Sequence, residues 1–146
     1  MEHNRENLDD ELRIVGITVR TEESKAMADI GALWGQAHAS GAITDPTLPA
    51  YGVYFDYESD HSGAYTVLVG QPRSGPVPDG LTEVKIPVQS YEVVRTEGAI
   101  PQVVQEAWQF INGAWEDKSK RSYRVDFERY EGSPQHSKLE LWIGAD

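Results

Sequence analysis

The chain has 146 residues, which suits one domain or two very small ones. Its 13 basic and 24 acidic residues give a net charge of −11, which argues against a surface built for nucleic-acid phosphates or an anionic membrane and permits cationic partners. Cysteine is absent and no apolar run is long enough to span a bilayer, so disulfides, thiol nucleophiles, cysteine-ligated metals and membrane helices are excluded.

Residues 1–12 are polar and acidic. They lack the basic and then apolar pattern of a secretion signal, so a cytoplasmic location is expected. Nothing in this segment predicts packing against a core, and we expect a flexible tail.

The first half of the chain predicts a strand, a helix and two further strands. Residues 13–19 alternate and are rich in β-branched side chains, which is typical of a strand. Ser24 can cap a helix whose apolar residues recur at helical spacing and which ends at Gly41. Strands are then predicted at 51–57 and 64–70, with a hairpin-type turn between them.

The second half repeats this order after a proline-rich linker at 71–80. Residues 82–88 favour a strand that leads into the second unit. Pro101 suits the first turn of the second helix. The remaining strands of this half are predicted at 90–96, 125–131 and 138–143.

The halves also share residues in the same order. Val19–Glu22 and Val94–Glu97 both read Val-Arg-Thr-Glu, and further matches keep offsets of 73 to 75 positions. Collinear matches at one offset indicate a duplicated β-α-β-β unit. We therefore predict an α+β fold with pseudo-twofold symmetry, in which an antiparallel sheet and two helices enclose a central ligand groove. Its units are residues 13–70 and 81–146.

The order of several motifs resembles a known family. Trp34 and Trp108 lie on the two helices, and Asp126-Phe-Glu-Arg-Tyr130 precedes Glu140-Leu-Trp-Ile143 at the end of the chain. This pattern resembles the GyrI-like small-molecule-binding family, which is also the effector-binding domain of AraC- and MerR-type multidrug regulators. The resemblance covers residues 12–146 and implies a stand-alone effector-binding domain, like those encoded on mobile integron cassettes. It also implies that Glu128 contacts cationic, lipophilic drugs.

The repeat itself also indicates the environment of Glu128. Val53, Phe55 and Tyr57 share one face of their strand, and the repeat matches Phe55 with Glu128. A carboxylate on an apolar face is costly unless it is paired or hydrogen-bonded. It is therefore either part of a structural ion pair, for example with Arg124, or a buried anion that awaits a cation.

The aromatic residues have two interpretations each. Glu140 and Trp142 share one face of the last strand, where Trp142 either holds an organic cation by cation–π attraction or packs under a loop. Trp34 and Trp108 either belong to the core or line the groove. The candidate ligand-binding residues are Glu128, Trp142, Glu140, Tyr130, Trp108, Trp34, Tyr57 and Phe55.

Three functions remain. The first is binding of small organic cations in an aromatic groove, with no cofactor. The second, implied by the resemblance, is hydrolysis of strained electrophiles with Glu128 as general base beside Tyr130 or Tyr57. The third is binding of a basic partner protein, as the resemblance to a gyrase inhibitor allows. The four histidines show no metal-ligand spacing, and His61 and His136 lie in equivalent turns.

Overall fold

A computed structural model describes all residues, 1–146, as eight antiparallel strands in one sheet with two α-helices. This confirms the predicted α+β class. The strands are β1 (His3–Asn7), β2 (Leu12–Thr21), β3 (Ala50–Phe55), β4 (Tyr65–Pro72), β5 (Thr82–Ile86), β6 (Ser90–Gly98), β7 (Arg121–Ser133) and β8 (His136–Ala145). The helices are α1 (Ala26–Ser40) and α2 (Gln102–Gln109), and α2 continues into a π-helical turn at Phe110–Ala114. Neither helix is long and apolar enough to cross a membrane.

The strand order β1-β6-β8-β7-β3-β4-β2-β5 is symmetric about its centre. β3 and β7 lie side by side there, and Val53 is opposite Phe127. These two residues are 74 positions apart, which is the offset of the repeat. A strand and its copy can pair in this way only if a pseudo-twofold axis passes between them. The axis therefore crosses the sheet at the Val53–Phe127 pair.

The two outer strands change the boundaries expected from sequence. β1 lies in the segment expected to be a flexible tail, and it pairs with β6 along its whole length. Its His3 Nδ1 and Arg5 Nε atoms lie 2.7 and 3.3 Å from the carboxylate of Glu92, which is buried. β5 was assigned to the second unit but pairs with β2 of the first. Each half therefore gives its leading strand to the edge of the other half.

The sheet is strongly curled. β5 and β6 lie near opposite ends of the strand order, yet only residues 87–89 connect them. Such a connection spans about 14 Å at most, so the ends must approach each other. The face away from the helices closes on itself around Tyr91, Phe127 and Trp142, and its core draws side chains from seven strands.

The helices cover the other face of the sheet. Leu33 and Ala37 of α1 pack in one cluster with strands of the first half, and Ala107 and Ile111 pack in another with strands of the second half. α1 ends at Gly41, as predicted, because this residue adopts a left-handed conformation with φ 86°. The predicted cap at Ser24 does not form, since the N-cap residue is Lys25 and its side chain makes no capping bond.

Candidate functional site

A cavity of about 1060 Å³ lies between the helices and the middle of the sheet. Each helix lines it with one stripe of side chains at helical spacing. The α1 stripe and its counterpart around α2 are related by the 74-residue offset. The equivalent pairs are Met27 and Pro101, Ile30 and Val104, Trp34 and Trp108, and His38 and Asn112. The groove predicted between the halves is therefore a cavity at the pseudo-twofold axis.

Glu128 lies at the floor of this cavity and is 1% exposed. The indole Nε1 of Trp108 donates a hydrogen bond of 2.7 Å to its Oε2 atom, and the hydroxyl of Tyr54 donates one of 3.2 Å to the same oxygen. Burial raises the pKa of Glu128, and these hydrogen bonds oppose that rise. The carboxylate is thus held by neutral donors.

No ion pair neutralises Glu128. Arg124, the partner considered from sequence, instead lies near Gln89 and Asp146. The interpretation of Glu128 as a structural ion pair is therefore wrong. The sequence pattern does not indicate these neutral donors, because Trp108 and Tyr54 come from α2 and β3 and are distant from Glu128 along the chain.

Gly52 provides the space for this carboxylate. It lies opposite Glu128 in the β3–β7 pairing. A Cβ atom at this position would lie 2.8 Å from Oε1 of Glu128 and 3.4 Å from the ring of Trp34. A side chain here would therefore displace the carboxylate or the indole. The absence of a side chain at Gly52 leaves space at the floor of the cavity between the two helices.

The internal equivalent of Glu128 is Tyr54, which corrects the predicted match with Phe55. The pairing of Val53 with Phe127 fixes the offset at 74, whereas the match with Phe55 used 73. Strand alternation then places Tyr54 on the cavity side, while Phe55 packs against the core on the far face. The two equivalents meet at the axis, where one hydrogen-bonds to the other.

Tyr57 reaches the cavity because strand alternation stops just before it. Asp56 has a φ of 54°, a left-handed conformation that ends β3 and turns the following side chain. The hydroxyl of Tyr57 donates a 2.6 Å hydrogen bond to Oδ2 of Asp126. Burial, followed by the charge of Asp126, raises the pKa of Tyr57 well above its usual value. Tyr57 is therefore a neutral donor.

Arg121 also lines the cavity and was not predicted as a site residue. Its Nη2 atom donates a 2.9 Å hydrogen bond to Oδ2 of Asp126, and both side chains are buried. Its guanidinium lies 4.4 Å from the ring centroid of Tyr123. Burial lowers the pKa of Arg121, but the charge of Asp126, its hydrogen bond and the neighbouring tyrosines together outweigh this, and the pKa is raised. This pair is balanced, so Glu128 is left as the unbalanced buried charge. A β-bulge between Arg121 and Asp126 hides their proximity from a pattern of simple alternation.

Trp142 and Glu140 lie outside the cavity. Trp142 stacks on Phe127 in the core of the far face, with ring centroids 5.2 Å apart. Its Nε1 atom donates to Glu140, which also accepts a 3.0 Å hydrogen bond from Arg95. The prediction that these two residues share the groove with Glu128 is not met, because the sheet curls and closes this face. Of the eight predicted residues, the cavity brings together Trp34, Tyr57, Trp108, Glu128 and Tyr130.

Residues 45–49 of the α1–β3 connection, with Ala50 at the start of β3, form one wall of the cavity. A single buried side chain from β4, that of Gln71, holds this connection. Its Oε1 atom accepts from the backbone N–H groups of Thr44 and Asp45, and its Nε2 atom donates to the carbonyls of Asp45 and Leu48. The wall is thus fixed to the sheet.

The charges around the cavity favour a cation. Its lining contains four carboxylates and one guanidinium, and that guanidinium is paired with Asp126. The carboxylates belong to Glu23, Asp45, Glu128 and Glu131. No group of three His, Asp or Glu side chains is arranged to hold a metal ion. An apolar, aromatic cavity with a few convergent polar groups is typical of a small-molecule site.

The fold and the cavity thus define a duplicated α+β ligand-binding domain. The model of the integron-associated effector-binding protein family matches residues 8–144, and the chain belongs to this family. This agrees with the resemblance seen in the sequence motifs. No curated protein sequence matches the chain significantly.

Solved structures share the fold over nearly the whole chain. An integron cassette protein from the mobile metagenome of Vibrio cholerae is 28% identical, with a TM-score of 0.76, covering 97% of this chain and 95% of that one. The protein SAV2435, solved bound to tetraphenylphosphonium, is 17% identical, with a TM-score of 0.79 and coverage of 100% and 94%. A bacterial transcription regulation protein from Staphylococcus aureus is 16% identical, with a TM-score of 0.72 and coverage of 99% of both chains.

Proposed function

We propose that this protein binds small aromatic cations in the cavity and that the carboxylate of Glu128 provides the charge that selects them. The observation that carries the proposal is a buried carboxylate with neutral partners only, beside the indole of Trp108. A buried charge without a counter-charge is costly, and a bound cation would remove that cost. The tetraphenylphosphonium bound to SAV2435 supports this class of ligand.

The aromatic side chains would hold the body of the ligand. Trp34 packs edge-on against Tyr130 with ring centroids 5.1 Å apart, and the ring centroids of Trp108 and Tyr54 are the same distance apart. Indole and phenol faces attract organic cations and stack on flat apolar groups. Because stacking and diffuse charge discriminate weakly between shapes, the site would accept several cations of similar size.

Titration with tetraphenylphosphonium tests this function through tryptophan fluorescence. Glu128→Gln keeps an acceptor for Trp108 and removes only the charge, so we expect affinity to fall by at least about tenfold, as when one partner of a buried charge pair is lost. Glu140→Gln is the matched control, since it removes a carboxylate on the other face of the sheet and leaves affinity unchanged. Equal affinities in wild type and Glu128→Gln would refute the role of the charge.

The same variants separate the two alternatives. A strained electrophile incubated with the wild type and analysed for hydrolysis products tests the enzymatic alternative, for which we expect no turnover. Turnover that disappears in Glu128→Gln would instead favour hydrolysis. Binding to a basic protein without any response to tetraphenylphosphonium would favour the protein-binding alternative.

A further inference from the structure

Three exposed apolar side chains surround the mouth of the cavity. Met27 in the first turn of α1 is 85% exposed, Leu48 in the α1–β3 connection is 41% exposed, and Ile100 just before α2 is 38% exposed. We call Met27, Leu48 and Ile100 the apolar collar. Single exposed apolar residues are ordinary on a protein surface, but these three come from separate elements and converge on one opening.

An apolar path joins the collar to the floor. On α1, Ile30 lies between Met27 and Trp34, and all three line the cavity. On the opposite wall, Val104 lies between Ile100 and Trp108. From Met27 to Trp34 the helix rises about 10 Å. A chemical group that leaves the floor can therefore follow Ile30 and Met27 on one wall and Val104 and Ile100 on the other before it reaches solvent.

The size and charge of the cavity restrict which chemical group can occupy this path. Its volume of about 1060 Å³ lies at the upper end of the roughly 300–1,000 Å³ typical of small-molecule sites, so space remains above a compact cation at the floor. The lining carboxylates Glu23, Asp45 and Glu131 disfavour an anionic tail. The apolar side chains of Met27, Ile30, Ile100 and Val104 favour an uncharged apolar chain along this path.

We propose that the preferred ligand is an amphiphilic cation, whose cationic head lies at Glu128 and whose apolar chain extends along α1 and α2 to cover the collar. This inference rests on the proposed binding of cations at Glu128 and adds the chemical class of the ligand. The chain removes collar surface from water, and each buried methylene strengthens binding.

A series of alkyltrimethylammonium ions of increasing chain length, each kept below its micelle concentration, tests this inference by competition against tetraphenylphosphonium. We expect affinity to rise about threefold to fourfold per added methylene until the chain passes the collar. The double variant Met27→Ser, Ile100→Ser should flatten the rise for the longer chains only, when each affinity is referred to that variant's own affinity for tetraphenylphosphonium. Val88→Ser is the matched control, because Val88 is 59% exposed and does not line the cavity.

The outcomes separate the two proposals. If short ions and tetraphenylphosphonium bind but affinity does not depend on chain length, the amphiphilic ligand is ruled out and cation binding at Glu128 stands. If the collar variant keeps the full rise of the wild type, the chain does not reach the collar and the inference fails. If the collar instead holds two copies of the chain together, sedimentation shows a wild-type dimer that the double variant abolishes, and this also overturns the inference. Failure of every cation to bind removes the proposed function itself.

Discussion

Three acidic side chains buried in this protein differ in how their charge is balanced. Asp126 is paired with Arg121, and Glu92 is held by His3 and Arg5. Glu128 is bonded by an indole and a phenol, which carry no charge. The residue with an unbalanced charge is thus the one at the floor of the cavity. Its burial predicts a ligand that supplies the missing positive charge.

The first prediction at this scale concerns pH. Because burial raises the pKa of Glu128, part of the empty protein carries a protonated Glu128 at acidic pH, and a cation must displace that proton. Affinity for tetraphenylphosphonium should therefore rise with pH, by at most about tenfold per pH unit, and level off above the pKa of the empty site. Titrations across the acidic to neutral range check this.

Glu128→Gln provides the control for the other carboxylate and histidine side chains that line the cavity. These are His38, His61, Glu23, Asp45 and Glu131. The variant should show a nearly flat profile, and a profile as steep as that of the wild type would assign the pH dependence to those groups.

The stability of the empty protein depends on pH with the opposite sign to ligand affinity. A raised folded-state pKa stabilises the empty protein below the unfolded-state value of about 4.3, and this contribution is lost as pH rises through the folded-state pKa.

Trp142 provides a second prediction, which follows from its position in the far core. Trp142→Phe removes contacts with Phe127 and Tyr91 and the bond to Glu140, so the free energy of unfolding should fall by about 1–3 kcal/mol. Ligand affinity should not change. Urea unfolding and tetraphenylphosphonium titration of the same variant check both statements. A large loss of affinity with unchanged stability would indicate instead that Trp142 contacts the ligand.

At the scale of elements, β1 shows why charge composition alone is a poor guide to order. Its residues are polar and mostly exposed, yet the strand supplies hydrogen-bond partners to the edge of β6 and the guanidinium of Arg5 to Glu92. Polar side chains are suited to an edge strand because they discourage pairing with other molecules. The sequence of β1 therefore resembles that of a disordered tail.

Removing residues 1–8 tests this role of β1. We expect lower stability by about 3–5 kcal/mol, because the deletion leaves the buried carboxylate of Glu92 without the guanidinium of Arg5 and the imidazole of His3 and unpairs the edge of β6. Urea unfolding of the truncated and full chains measures the difference. The double variant Asp9→Asn, Asp10→Asn lies outside any strand and serves as the control for charge removal. Equal stability of the truncated and full chains would support the interpretation of this segment as a flexible tail.

At the scale of the whole molecule, the repeat in the sequence was sufficient to predict the duplicated fold. Offsets that cluster near 74 predicted two equivalent units and a site between them, and the pairing of Val53 with Phe127 has this offset. The site was less predictable, because an error of one position moves a strand residue to the other face of the sheet. An error of this size in the repeat offset led to Phe55, in place of Tyr54, as the predicted equivalent of Glu128. Hydrogen-bond partners from distant elements, such as Trp108 and Arg121, leave no local signal.

Two further features depend on the closed shape of the sheet. The exchange of β1 and β5 between the halves and the curl that buries Trp142 arise from long-range pairing. Local propensity carries no information about such pairing. The fold is symmetric but the site is not, and the proposed function depends on the asymmetry of the site. At the axis, one unit supplies Glu128 and the other supplies Tyr54 as its donor.

The position of a bound cation tests the central claim most directly. Tetraphenylarsonium has the shape and charge of tetraphenylphosphonium, and its arsenic atom is located by anomalous diffraction from a crystal of the complex. We predict a single arsenic peak inside the cavity, beside the carboxylate of Glu128 and within about 6 Å of the ring centroid of Trp34 or Trp108. A peak outside the cavity, or one at the acidic residues of its mouth with the floor empty, would contradict the account.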